Sequence, residues 1–205
     1  MEQRSPEWFS ARLGKVTASR VADIVAKTKS GYSAHRANYM AELIVERLTG
    51  KAAEHYQNAA MFWGTSTEPL ARSSYEDHTG GLVEEVGFVP HPTILMSGAS
   101  PDGLVNEDGL VEIKCPNTST HIETVLGQEV PSKYLPQMQW QMACTGRDYC
   151  DFVSFDPRLP DGMKIFVRTV RRDVEMIKTL EEEVSKFLTE MEAKIEQLNK
   201  LTGDK

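Results

Sequence analysis

Apolar positions along this chain recur at helical spacing first, then at strand spacing, and then alternate between the two. Ser5-Pro6-Glu7-Trp8 reads as a helix start, with Ser5 as cap and proline in the first turn. Thr17-Ala18-Ser19 opens a second helix to about Ala26, and 27–33 is a basic, glycine-containing loop. Ser33 then caps a longer helix whose Met40, Leu43, Ile44 and Leu48 share one face, with Gly50 as its stop. A further helix covers about 59–77, interrupted or bent near Pro69, and ends at Gly80-Gly81. The period then shortens. Segments 82–89, 93–99 and 110–115 read as strands of a meander, separated by Pro, Gly and Asp turns. Helical spacing returns over 134–144, 150–155 and 164–170 are further strands, and a last helix fills 174–201.

This order predicts an α/β or mixed α+β fold with a central mixed sheet flanked by helices. The last helix carries Ile177, Leu180, Val184, Phe187, Met191, Ile195 and Leu198 at alternating steps of three and four, an amphipathic stripe. Packing on the chain's own core and a subunit contact both fit that stripe. With 205 residues, 40% of them hydrophobic, the chain can bury one substantial core, so a single domain over 1–205 is expected. Its parts are a helical region of about 1–80, a sheet region of about 81–172 and the C-terminal helix over about 173–201.

Composition narrows the class further. Cys115, Cys144 and Cys150 form neither a CxxC pair nor an even set, which disfavours a zinc site or a disulfide framework. No run approaches the roughly 18 apolar residues of a membrane span, and Met1-Glu2-Gln3-Arg4 lacks a signal peptide's apolar core. A soluble cytoplasmic protein is the expectation. The net charge of −7 is unevenly spread. Residues 1–51 carry nine Lys/Arg against five Asp/Glu, 52–172 nine against sixteen, and 173–205 five against nine. Phosphate contacts are therefore expected in the first quarter, and the acidic middle suits a hard divalent cation.

The chemistry concentrates in Ser100-Pro101-Asp102-Gly103 and Val111-Glu112-Ile113-Lys114-Cys115. Side chains two apart in a strand share a face, so Glu112 and Lys114 project together while Val111, Ile113 and Cys115 face the other side. The turn over 103–109 can bring the Asp102 carboxylate beside Glu112. Two carboxylates and the Ile113 carbonyl suit magnesium, which keeps water and substrate phosphate in its other positions. Lys114 would orient or help deprotonate the water that attacks a phosphodiester, with the metal lowering that water's pKa. Taken singly, a Pro-Asp-Gly turn and a charged Glu-x-Lys strand face need no such reading. Their spacing together is far more specific.

At these residues the sequence resembles the PD-(D/E)xK nuclease superfamily, whose core is restriction-endonuclease-like. More of the chain is similar to the phage lambda exonuclease (YqaJ-type viral recombinase) family. The matching blocks run in order: Trp8 to Ser19, Trp63-Gly64-Thr65-Ser66-Thr67-Glu68, Ser100 to Gly103, Glu112 to Pro116, and Tyr134-Leu135-Pro136-Gln137-Met138-Gln139. The resemblance implies a magnesium-dependent 5′→3′ exonuclease, with two ions and manganese as a substitute. It would digest one strand of linear duplex DNA to 5′-mononucleotides and leave a 3′ overhang for a single-strand annealing protein. It also implies a homotrimeric ring around DNA, encoded by a phage or prophage and working in a bacterial host.

By the same matching, Glu68 joins Asp102, Glu112 and the Ile113 carbonyl at the metal, and Gln137 supports Lys114. Arg12, Ser19 and Ser100 form a pocket for the terminal 5′ phosphate, for which a guanidinium and two hydroxyls are suited. Met61 matches an apolar wedge between the strands, although core packing beside Phe62 and Trp63 is the alternative. Lys29 matches a groove contact. For Gln137 and Gln139 the alternative is the outward polar face of an amphipathic helix, and for Glu68 a surface acid. The family's best-known member has an extra acid on the strand before Ser100, where this chain has Val89-Pro90-His91-Pro92-Thr93. Two other functions share these features: a structure- or sequence-specific endonuclease, and a non-catalytic DNA-end-binding scaffold.

Overall fold

A computed structural model of the chain describes residues 1–52 and 58–202. Its first elements are α1 (Pro6–Arg12), β1 (Val16–Thr17), a 3-10 turn (Ala18–Arg20), α2 (Val21–Val25), β2 (Lys27–Thr28), β3 (Gly31–Tyr32), α3 (Ala34–Thr49) and α4 (Ala59–Thr79). There follow β4 (Val83–Glu84), β5 (Val89–Pro90), β6 (Ser97–Ala99), β7 (Gly103–Val105), β8 (Gly109–Lys114) and α5 (Thr118–Gly127). A second 3-10 turn (Ser132–Tyr134) leads into α6 (Leu135–Thr145), then β9 (Tyr149–Phe155), β10 (Ile165–Arg171) and α7 (Val174–Thr202).

The centre is a five-stranded mixed sheet in the order β10-β9-β8-β7-β4. β8 and β9 run parallel, pairing Glu112 with Phe152 and Lys114 with Ser154, and the other neighbours are antiparallel. Parallel neighbours need a crossover, which α5 and α6 supply. On one face α6 packs Met138 and Met142 with Leu110, Cys150 and Phe152. On the other, α4 packs Ala71 and Tyr75 with Val111, Ile113 and Val153. β8 is therefore covered on both sides, and Glu112 lies inside the protein. A third apolar cluster joins α2, α3, α6 and α7, and the α7 stripe from Leu180 to Met191 lies within it. That stripe packs on the chain's own core, while Leu198 near its end is exposed.

The helix ends follow local chemistry. Ser5 caps α1 by accepting from the Trp8 N–H, and Gly50 and Gly80 end α3 and α4 in the left-handed conformation. Ser33 has the extended backbone of a cap, but its side chain makes no capping bond.

Several expectations need correction. The meander does not form. β5 and β6 join β1 in a separate three-stranded sheet, and β4 pairs with β7. Pro90 and Pro92 lack the N–H donors that would extend β5. Gly98 lets this sheet close, because a Cβ there would lie 2.3 Å from the Phe88 ring and 2.6 Å from the Val89 carbonyl. The basic stretch after α2 is a short hairpin, not a loop, and the second helix is a 3-10 turn running into α2. α4 continues through Pro69. The presumed turn over 103–109 contains β7, and the reversal is confined to Asn106-Glu107-Asp108, with Asn106 at φ 51°. α5 carries no amphipathic signature in the sequence, because it buries His121 and Thr124 rather than an apolar stripe.

Candidate active site

Glu112 is 1% exposed and sits in a cage of donors. Its Oε1 accepts from Lys114 Nζ and from Gln137 Nε2 at 2.6 Å, and its Oε2 accepts from Gln141 Nε2 at 2.6 Å. The strand period puts Lys114 on the same face as Glu112, and one helical turn along α6 puts Gln137 and Gln141 together above it. Asp102 lies just before β7, and its Oδ2 accepts from the Ile113 N–H at 2.6 Å. This bond ties the turn acid to the strand between Glu112 and Lys114.

The electrostatics show how tightly these groups are gathered. Burial raises the Asp102 pKa well above the ordinary carboxylate value, the negative charges of Glu112 and Glu68 add to it, and Lys114 and the Ile113 N–H oppose it. Burial alone would lower the Lys114 pKa, but the charges of Glu112 and Asp102 outweigh it and the net shift is upward. Burial pushes the Cys115 thiol to about 12, again with help from Glu68 and Asp102. Glu68 on α4 thus contributes its charge to this site, although its hydrogen bonds go to Arg4 at 2.7 Å and Arg72 at 3.2 Å.

Among the described residues no three His, Cys, Asp or Glu side chains are already gathered as a metal-binding group. The donor set still fits magnesium, which takes one or two carboxylates and fills its remaining positions with water and substrate oxygens. The repulsion from Glu112 and Glu68, which adds to the effect of burial on Asp102, is what a divalent cation relieves. Asp102, Glu112 and the Ile113 carbonyl would hold such an ion, with Glu68 at the side.

A second group of residues adjoins the first. Ser100, two residues before Asp102, accepts at Oγ from Arg12 Nη1 at 3.1 Å and from Trp8 Nε1 at 2.9 Å. Trp8 and Arg12 are one turn apart on α1, and the guanidinium stacks on the indole at 4.0 Å. Gly14 anchors this helix to α3: its N–H donates to Glu46, its carbonyl accepts from Arg47, and its φ of 67° suits only glycine comfortably. Parallel pairing of Val16 with Ser97 and Thr17 with Gly98 leaves Ser19 and Ser100 each two residues beyond the last pair. Ser19 is exposed and its hydroxyl faces Thr17 Oγ1 at 3.4 Å.

Met61 and Phe62 are exposed on the first turn of α4, which removes the core-packing alternative for Met61. Lys29 is exposed at the tip of the β2–β3 hairpin. Gln137 points inward to Glu112, and Gln139 binds the Arg171 carbonyl and the Asp173 N–H at 2.9 Å each, so neither is an outward polar residue. His91 is buried, stacked on Trp140 at 4.8 Å, with Nε2 3.2 Å from Glu181. Burial lowers its pKa, and Nδ1 accepts from the Thr93 and Ile94 N–H groups. Gln141, Trp8, Arg4 and Arg72 were not assigned roles from the sequence. Gln141 could have been found as the residue one turn after Gln137, and Trp8 as one turn before Arg12.

Comparisons with known proteins agree with this fold. Residues 7–148 match the YqaJ-like viral recombinase domain. The crystal structure of an alkaline exonuclease, LHK-Exo, from Laribacter hongkongensis is 56% identical, with a TM-score of 0.91 over 97% of this chain and 98% of that one. LHK-Exo in complex with dAMP gives a TM-score of 0.92 at the same identity and coverage. A phage-related exonuclease from Haemophilus somnus shares the fold, with 17% identity and a TM-score of 0.69 over 90% of this chain and 96% of that one. An uncharacterized protein of Acanthamoeba polyphaga mimivirus is 24% identical over 183 residues, and the chain spans 31% of its length. No helix among the described residues is long and apolar enough to cross a membrane. With residues 7–148 of the chain matched by the family's domain and the fold shared almost throughout with LHK-Exo, the chain belongs to the YqaJ-like viral recombinase family.

Proposed function

We propose that the chain is a magnesium-dependent 5′→3′ exonuclease that degrades one strand of linear duplex DNA from its end. The observation that carries this reading is adjacency: Ser100, held by Arg12 and Trp8, is two residues from Asp102, which is itself bonded to the strand bearing Glu112 and Lys114. A terminal phosphate held by Arg12, Ser100 and Ser19 would present the first phosphodiester to the acids. Relatives support the reading. One 56% identical is an alkaline exonuclease, and it was crystallised with dAMP, a nucleoside monophosphate of the kind such digestion releases.

In this mechanism Asp102 and Glu112 fix the reacting phosphate's surroundings, and Lys114 orients the attacking water and meets the charge that develops on the phosphate. Gln137 and Gln141 hold Glu112 in one rotamer, so that no reorganisation is needed at the moment of reaction. Bound there, magnesium would lower the pKa of water and screen the phosphate's charge. Manganese is expected to substitute. Two ions, with Glu68 as an added ligand, fit the same set. Met61 would part the strands and Lys29 would touch the groove. A homotrimeric ring, hand-over of the 3′ overhang to a single-strand annealing protein, and action in the cytoplasm of a phage-carrying bacterium complete the proposal.

The test is digestion of linear duplex DNA labelled separately at each end, with 5′-phosphate and 5′-hydroxyl forms compared, with and without magnesium. Mononucleotides released first from the 5′ label, faster from the phosphorylated form and only with metal, are expected. Release from the 3′ label first overturns the direction. Cutting of a closed circle makes it an endonuclease, and binding without cutting makes it a scaffold.

A further inference from the structure

Glu68 already has cations on both carboxylate oxygens, and the two cations differ. Arg72, one turn along α4, is 15% exposed and also pairs with Glu85 at 2.5 Å. Arg4 is 48% exposed, and among the described residues Glu68 is its one ion-pair partner. Arg72 is therefore held from two sides, while Arg4 already reaches water and can leave easily.

The segment carrying Arg4 is fastened to the site. Gln3 Nε2 donates to the Val86 and Pro101 carbonyls, each at 2.8 Å, and Pro101 precedes Asp102. Gly87 admits the chain, since a Cβ there would lie 2.5 Å from the Met1 carbonyl. The Ser5 N–H closes a turn on the Glu2 carbonyl at 3.4 Å, and Arg4 is its third residue with φ 68°. That conformation favours glycine or asparagine. An arginine there accepts backbone strain, and the contact its side chain gains is the bond to Glu68. Strain kept in this way marks functional positions.

We propose that Arg4 is the resident counter-cation of Glu68: it holds the carboxylate oriented, competes with a divalent ion for the same oxygen, and yields to that ion by moving into solvent. This rests on reading Glu68 as a metal ligand. Arg4 is thus a positioning residue, acting through Glu68, and it sets how much metal the site needs.

The test is Mn2+ binding to the full chain without DNA, with free ion followed by electron paramagnetic resonance, for wild type, Arg4→Gly, Arg4→Lys and Glu68→Gln. Glycine suits the φ of Arg4, so Arg4→Gly removes the guanidinium and keeps the turn. Arg4→Gly is expected to tighten Mn2+ binding about three- to fivefold at low salt, the effect of losing one partly exposed competing ion pair. The gain should shrink as salt rises, and Arg4→Lys should return affinity toward wild type. A merely structural role would lower Tm and leave metal affinity unchanged. If Glu68→Gln weakens Mn2+ binding while Arg4→Gly leaves it unchanged or weaker, the Arg4 inference fails alone. If Glu68→Gln has no effect, the reading of Glu68 as a ligand fails and takes the inference with it.

Discussion

Gln141→Leu tests the way the protein holds its buried acid. Glu112 is 1% exposed and Gln141 is wholly buried, and among the described residues the Gln141 amide is the one donor to Glu112 Oε2, at 2.6 Å. Leucine is of similar size, so the change leaves little cavity and removes chiefly that bond. A hydrogen bond to a charged group is worth about 1.5–3 kcal/mol, and here the loss also strands an oxygen that water cannot reach. Leucine recovers part of this by adding apolar surface in a cluster that already holds Met138 and Met142. A net loss of about 2 kcal/mol follows, which for a chain of this size lowers Tm by about 4–8 °C. Denaturant midpoints and calorimetry of the metal-free protein measure it. Cleavage should fall as well, because only Gln137 and Lys114 would still orient Glu112. A variant within about 1 °C of wild type with full cleavage activity would refute the argument, since Oε2 would then not depend on Gln141.

Lys114→Met keeps the length of the side chain and removes its ammonium. Cleavage should fall about 10²–10⁴-fold in single-turnover assays, while binding to duplex ends in a gel shift is retained. Arg12→Ala should abolish the preference for 5′-phosphorylated over 5′-hydroxyl ends, measured as the ratio of initial rates, and leave residual cleavage on both. Asp156 has its pKa held down at about 2, because bonds from Arg158 and Thr118 outweigh the effect of burial. Its unfolded value is about 3.9, so it stabilises the fold above about pH 4 and loses that contribution as pH falls toward 2. Asp156→Asn should flatten the acid limb of stability in this window, and an unchanged slope would show that another group sets it.

The legible parts of the site were those set by short-range geometry. Glu112 and Lys114 share a face because a strand repeats every two residues, and Asp102 needs only a tight reversal to reach the Ile113 N–H. The α7 stripe was legible for the same reason, since steps of three and four define a helix face whatever it packs against. β6 lies within a segment read as a strand, but its partner β1 lies about eighty residues earlier in the chain, and no local pattern announces a parallel pair across that distance. The ion pair of Arg4 with Glu68, 64 residues apart, was hidden in the same way.

α6 was legible as a helix over 134–144, but the direction in which its glutamines face was hidden for a different reason. Its residues Met138 to Cys144 are all buried, so the expected contrast between an apolar and a polar face does not exist there. In such a helix polar residues carry more information than apolar ones, because each buried amide must find a partner. Gln137 and Gln141 are one turn apart and both reach Glu112, whereas Gln139, between them and on the other side, fastens the helix to the β10–α7 junction through Arg171 and Asp173. The three glutamines thus fix both the rotation of α6 and the carboxylate beneath it. Stability and the candidate site therefore share residues here, which is why Gln141→Leu should lower Tm and cleavage together, whereas Lys114→Met should act mainly on cleavage.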